Sequence, residues 1–256
     1  MRKNHVKETL AEGGVSVGTM VFEFNSTGIG RLAGEAGAEF VIFDMEHTGW
    51  SIETIRMLIA TSRVSRALPM VRVPATEYHL ISRPLDSGAM GIMVPMVESV
   101  EQARLIVQSA KYSPEGSRGA AFTVAHDDYE GGTVPEKMQS ANREGLIIAQ
   151  IETATGIEAC EAIAAVDGID CLWVGHFDLS ISMGIGGQFD HADFIAAVTR
   201  VAQACETRGK AAGVMVGDIE TAAFWRGIGY RAIAFNGDLW IYLKALREGV
   251  EGVRSL

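Results

Sequence analysis

The chain has 256 residues, 48% of them hydrophobic and 21% charged, a balance that suits a large packed core and excludes an intrinsically disordered chain. Its formal net charge is −10 and it has no cluster of Lys and Arg, which excludes a phosphate-backbone surface and with it a nucleic-acid partner. No stretch approaches the roughly 18 apolar residues of a membrane span, and Met1 to Glu8 lacks the apolar centre of a secretion signal, so a soluble cytoplasmic protein is expected.

The first apolar run, Val15 to Val21, is followed by Glu23 and Asn25. The second, Phe40 to Phe43, reads as a buried strand and runs straight into Asp44, Glu46 and His47. After an amphipathic stretch from Ile52 to Val64 comes Pro69 to Val73, in which Arg72 interrupts the strand pattern. Gly91 to Val94 is followed by Glu98 and by a helical pattern over Val100 to Ala110. Lys111 to Glu144 is then expected to be a long connection without a strand, carrying Arg118 and six Gly and Pro residues; loops of that length inside a domain are commonly functional or mobile. Leu146 to Ile151 contains Gln150 and leads to Glu152, and helical spacing follows over Ile157 to Val166. Cys171 to Val174 leads to His176, Phe177 and Asp178, and the glycine-rich Gly184 to Gly187 lacks any phosphate-loop pattern and reads as a turn. A helix over Phe194 to Thr207, a run from Ala212 to Val216 and a last run from Arg231 to Phe235 before Asn236 and Asp238 complete the chain.

Eight short apolar runs alternating with helical segments predict a single (β/α)₈ barrel over residues 1–256. Gly37, Gly88, Gly168 and Gly229 each precede a strand, where a left-handed residue ends a helix. In such a barrel the ends that follow the strands carry the chemistry, and this is where the polar residues above collect.

Glu152 and Asp178 fall one β/α unit apart, on neighbouring strand ends, and two carboxylates with waters and an oxygen-rich substrate suit Mg²⁺ or Mn²⁺, with Co²⁺ as a further candidate. The alternative for Glu152 is a cap on the following helix, and Glu46 and Glu98 are fallback ligands. His47 is a candidate general base that Asp44 orients, directly or through water. Arg72 is costly to bury unpaired, so it meets either a substrate carboxylate or an internal partner, Asp44 or Glu46. None of the six lysines follows a strand as a Schiff-base lysine would, and Cys160, Cys171 and Cys205 are too scattered for a disulfide framework or metal knuckle.

Read together, Phe43 to His47, Val71 to Pro74, Val94 to Val97, Ser117 to Gly119, Gln150 to Thr153 and Gly175 to Ser180 resemble the HpcH/HpaI aldolase family, the metal-dependent class II pyruvate aldolases. The resemblance runs nearly end to end. It implies a barrel in which Glu152 and Asp178 hold the metal, His47 is the base and Arg72 contacts the pyruvyl oxygens, with Gln150, His176 and Phe177 at the substrate. It implies a 4-hydroxy-2-oxo acid cleaved reversibly to pyruvate, or a substituted pyruvate, and an aldehyde, with the metal stabilising the enolate. It also implies a hexamer, a trimer of dimers exchanging the last helix, Leu239 to Glu248, in which Asp86 serves a neighbour's site. The chain departs from the family pattern where His176 replaces a proline, as a second acid or base or as a backbone spacer. The rival readings are an acyl-CoA lyase of malyl or citramalyl type and a non-catalytic barrel that holds a dicarboxylate.

Overall fold

The computed structural model describes residues 2–256. Eight parallel strands close into one barrel in sequence order: β1 (Ser16–Val21), β2 (Phe40–Asp44), β3 (Leu68–Arg72), β4 (Gly91–Val94), β5 (Leu146–Ile151), β6 (Cys171–Val174), β7 (Ala211–Val216) and β8 (Tyr230–Gly237). Around them lie α1 (His5–Ala11), α2 (Ile29–Glu35), α3 (Ile52–Ser62), α4 (Tyr78–Asp86), α5 (Val100–Ala110), α6 (Val134–Glu144), α7 (Ala154–Ala164), α8 (His176–Ser182), α9 (Ala192–Thr207), α10 (Ile219–Gly227) and α11 (Asp238–Arg254). Among the described residues no helix is long and apolar enough to cross a membrane.

Near-continuous apolar strands are what a parallel sheet covered on both faces requires, and successive side chains divide between two cores. On β2, Phe40 and Ile42 point into the barrel while Val41 and Phe43 pack on the helices. Leu68 and Met70 of β3, Ile148 of β5, and Cys171 and Trp173 of β6 join the interior set. Trp173 fits because Gly213 faces it on β7: a Cβ there would come within 2.3 Å of the indole. Helix α1 plugs the N-terminal end with Val6 and Leu10, held by Asn4 Nδ2 donating to Met90 O at 2.8 Å and by Arg231 Nη1 donating to Leu10 O at 2.6 Å.

The four glycines expected to end helices have φ of 95°, 103°, 95° and 104° at Gly37, Gly88, Gly168 and Gly229, the left-handed region that a side chain would strain. Among the described residues Lys111 to Glu144 holds no strand, as expected, but its last third is α6, which the sequence did not announce. Thr133 and Glu136 form a reciprocal cap around Pro135 there, a start signal that the glycines upstream obscured. The connection joins the end of α5 to the start of β5, so it lies at the N-terminal end of the barrel, away from this chain's own strand-end residues.

Candidate active site

Alternation along the strands carries the interior register past their last apolar residues. Asp44 follows Phe40 and Ile42, Arg72 follows Leu68 and Met70, and Gln150 and Glu152 follow Ile148, each two residues on and so facing inward. Asp44 and Arg72 are register partners across β2 and β3. Their pairing is direct: Arg72 Nε donates to Asp44 Oδ1 at 2.6 Å, and Arg72 Nη1 lies 3.1 Å from Glu46 Oε2. Asp44 is 0% exposed, and its other hydrogen bonds come from the backbone N–H groups of Glu46 at 3.2 Å and His47 at 2.8 Å. The internal partner open to Arg72 in the sequence is therefore present, and the guanidinium plane is fixed, with Phe22 packed 5.7 Å from it.

Asp44 bonds the backbone N–H of His47 and makes no direct hydrogen bond to its ring, so of the two routes read from the sequence the direct one is not seen. The acid near the ring is Glu46, whose Oε2 lies 3.7 Å from His47 Nε2. His47 itself is 57% exposed on its side chain and lines the cavity mouth. Burial raises Glu46 above the usual carboxylate range, Arg72 pulls it back, and Asp44 and Asp178 push it up again.

Glu152 is 1% exposed. Met96 donates its N–H to Oε1 at 2.7 Å, and Gln150 Nε2 donates to Oε2. Met96 reaches that position with φ 55°, a left-handed conformation costly for a side-chain-bearing residue, so backbone strain aims a donor at this carboxylate. Burial nevertheless raises Glu152 to about 7; the two hydrogen bonds lower it, and the charges of Glu46 and Asp178 raise it further. The helix cap read as an alternative for Glu152 is supplied by its neighbour: Thr153 Oγ1 accepts from Gly156 N–H at 3.0 Å. Glu98, a fallback ligand, accepts from the Thr153 hydroxyl at 2.7 Å instead.

Asp178 stands in the first turn of α8, exposed at the same cavity. Its neighbour His176 packs against Phe177 at 4.5 Å and Phe189 at 5.2 Å between ring centroids, and burial lowers it to about 4, leaving a neutral imidazole. The cavity is about 640 Å³ and also touches Trp173 and Trp240, two aromatic walls that strand-end polarity did not announce. Trp173 was detectable as an inward-register residue of β6; Trp240 sits 5.1 Å from Phe22 and owes its place to α11 folding over β1. Asp238 also follows a strand, but it accepts N–H bonds from Phe22, Glu23 and Phe24 and anchors that loop.

Asp86 is not brought to this cavity. It ends α4, the helix that descends from β3 towards the start of β4, and it pairs with Arg118 Nη2 at 2.6 Å. Arg118 is likewise held at that place, stacked 4.7 Å over Tyr112.

The charge of Asp178 thus raises the proton affinity of both Glu46 and Glu152, and that of Glu46 raises Glu152 further, while Glu46 Oε2 meets Arg72 Nη1 as an ion pair without hydrogen-bond geometry and Gln150 Oε1 is buried without a hydrogen-bond partner. Oxygen-only donors and uncompensated negative charge fit a hard divalent cation. Among the described residues no three acidic, His or Cys side chains converge into a ligand set. Gly175 keeps this arrangement possible: a Cβ there would lie 2.2 Å from Glu152 Oε2 and 2.8 Å from its Cβ. Gly175→Ala is expected to lower divalent-ion affinity and turnover by about 100-fold with the fold retained, measured by ion titration and steady-state kinetics.

Eight closed parallel strands, with Arg72, Glu152 and Asp178 lining one cavity at their C-terminal end, define a (β/α)₈-barrel enzyme. A family model described as HpcH/HpaI aldolase/citrate lyase matches residues 23–245, and the chain belongs to that family, as an enzyme of the aldolase and lyase class. It is 37% identical over 228 residues to a hydroxypyruvate/pyruvate aldolase of Paraburkholderia phytofirmans, covering 86% of each chain. It is 33% identical to a 5-keto-4-deoxy-D-glucarate aldolase of an Enterobacter species, covering 85% of this chain and 84% of that one. An HpcH/HpaI aldolase crystal structure from Desulfitobacterium hafniense superposes with a TM-score of 0.93 at 30% identity, covering 98% of this chain and 97% of the other.

Proposed function

We propose that the protein catalyses reversible aldol cleavage of a 4-hydroxy-2-oxo acid to pyruvate, or a substituted pyruvate, and an aldehyde. The observation that carries this reading is the buried Arg72 facing Glu152 across one cavity, an anion-binding group opposite a cation-binding one. A divalent ion held by Glu152 and Asp178, Mg²⁺, Mn²⁺ or Co²⁺, would supply Lewis-acid stabilisation of negative charge on the 2-oxo acid.

Arg72 binds the carboxylate and keto oxygens, with its plane set by Asp44 so that little is lost in ordering it. Gln150, whose Oε1 is unpartnered, and the faces of Trp173 and Phe177 position the carbon chain. On cleavage a ring nitrogen of His47 takes the proton from the 4-hydroxyl oxygen. The C3–C4 bond breaks with its electrons passing to the 2-oxo acid as an enolate, the aldehyde leaves, and a proton is returned to C3. Glu46 Oε2 stands 3.7 Å from His47 Nε2, beside the ring that moves the proton. A chelator-treated sample given pyruvate and glycolaldehyde is expected to form no carbon–carbon bond, and Mn²⁺ to restore the reaction; equal product with and without the ion contradicts the reading.

The raised Glu152 carboxyl links pH to stability. A carboxyl whose folded value, about 7, exceeds the ordinary 4.5 favours the folded state when protonated, so its contribution is full at low pH and is lost as pH rises through 7. The swing is about 3 kcal/mol. Chelator-stripped protein is expected to melt lower at pH 8 than at pH 5.5 from this source, and Mn²⁺ to raise the melting temperature at pH 8 far more than at pH 5.5; thermal melts at both values check it.

The proposed assembly is a hexamer, a trimer of dimers, with α11 exchanged. In support, Ile241, Tyr242, Leu243 and Leu246 of α11 are exposed, and an apolar trough of about 1360 Å³ runs between α2 and the start of α11. In that assembly Asp86 of one chain serves a neighbour's proton transfer.

A further inference from the structure

Beside the catalytic cavity lies a second, larger one that the mechanism above does not use. It measures about 1180 Å³ and opens between α8, α9, the end of β7 and α10, at the same end of the barrel. Phe189, Phe194, Ile195, Phe224 and Trp225 make it apolar. Two of the ring pairs are edge to face, Phe194 to Trp225 at 6.3 Å with planes at 87° and Phe224 to Trp225 at 5.7 Å with planes at 76°, and Phe189 is tilted against Phe194 at 5.5 Å. Two residues, His176 and Met215, line both cavities and form the partition between them. His176 stands where the family pattern has proline; its ring lies 5.2 Å from Phe189 and 6.4 Å from Trp225, so it extends the aromatic wall towards Asp178. The acids in the lining are Asp190 and Glu220, which repel an anionic group and leave an uncharged one unopposed.

We propose that this aromatic pocket receives an uncharged apolar or aromatic substituent of the aldehyde acceptor, with His176 and Met215 as the partition the substituent passes. The proposal rests on the aldolase reading and names the acceptor class for it. The shared wall of His176 and Met215, which sets this pocket directly beside the cavity of Arg72 and Glu152, assigns the occupant: a group that passes that wall is attached to a reacting carbonyl. A pocket walled by aromatic rings favours a phenyl ring over a hydrated polyol, and discrimination on the order of 10- to 100-fold follows from burying such a ring.

The test fills the pocket from its far wall. Thr221 lines it outside the acidic cluster, and Thr221→Phe occupies the space of the incoming ring; Ile195→Trp does the same from α9. Saturation-transfer NMR of 3-phenylpropanal on the full chain with diamagnetic Mg²⁺ and no 2-oxo acid reads binding without turnover. The phenyl protons are expected to receive saturation from the unsubstituted protein and to lose most of it in both variants. In turnover with pyruvate, the ratio of kcat/KM for 3-phenylpropanal over glycolaldehyde is expected to fall about 10-fold or more. Equal saturation in all three proteins, or an unmoved ratio, overturns the assignment. Exchange of pyruvate methyl protons in the same samples separates the two readings: its absence from the unsubstituted protein removes the aldolase reading, while variant-sensitive phenyl binding still upholds the pocket.

Discussion

Glu152→Gln is expected to lower turnover by about 10³-fold or more and divalent-ion affinity by at least about 100-fold, with the melting temperature unchanged or raised. The carboxylate sits 1% exposed between two donors, Met96 N–H and Gln150 Nε2. An amide in its place keeps the carbonyl on Met96, and the buried, unpartnered Gln150 Oε1 can turn to accept the new N–H₂, so packing survives. Charge alone is removed. Because ionised Glu152 is disfavoured by burial and by Glu46 and Asp178, removing that charge relieves the apo protein while depriving the cation of its most enclosed ligand. Isothermal titration with Mn²⁺, thermal melts and kinetics separate the three effects, and a variant that binds Mn²⁺ normally would transfer the ligand role elsewhere.

Arg72→Lys is expected to cost about 100-fold in kcat/KM for the 2-oxo acid, and Arg72→Ala to cost that and about 3–5 kcal/mol of stability as well. Arg72 is 7% exposed and spans Asp44 and Glu46 with two different nitrogens of one plane. A lysine ammonium satisfies Asp44 as a point charge but cannot also present a flat pair of donors to a carboxylate. Alanine leaves Asp44, wholly buried, with a charge and no counter-ion. Denaturant unfolding tells the variants apart: near-normal stability with lost activity is the expected signature of Lys, and loss of both that of Ala.

Much of this was legible along the chain because parallel strands covered on both faces must be apolar throughout, and eight runs of that kind leave little choice of fold. The same rule made Asp44, Arg72, Gln150 and Glu152 conspicuous: each breaks an apolar strand or ends it, on the parity that faces inward. What a one-dimensional pattern could not supply was the pairing among them. Asp44 is sequence-near to His47, yet its carboxylate is saturated by Arg72 and two backbone N–H groups, so the imidazole is left to Glu46. Trp173 escaped notice because its inward fit depends on Gly213, a residue some forty positions away that is ordinary in its own context. Helix α6 was hidden for a different reason: Gly131 and Gly132 precede it and suggest continued loop, while the start signal is a reciprocal Thr133–Glu136 cap of only four residues. Asp86 lies at the other end of the barrel, where it pairs with Arg118, a contact that the spacing of the two residues along the chain does not announce.

The central claim is enolate formation from a 2-oxo acid in the cavity of Arg72 and Glu152. Proton NMR of pyruvate in D₂O tests it most directly, comparing chelator-stripped protein with protein restored by Mg²⁺ or Mn²⁺. The account predicts that the methyl signal decays only in the restored samples and that Glu152→Gln abolishes the decay. A methyl signal that persists with either ion contradicts it, whatever the protein is later found to bind.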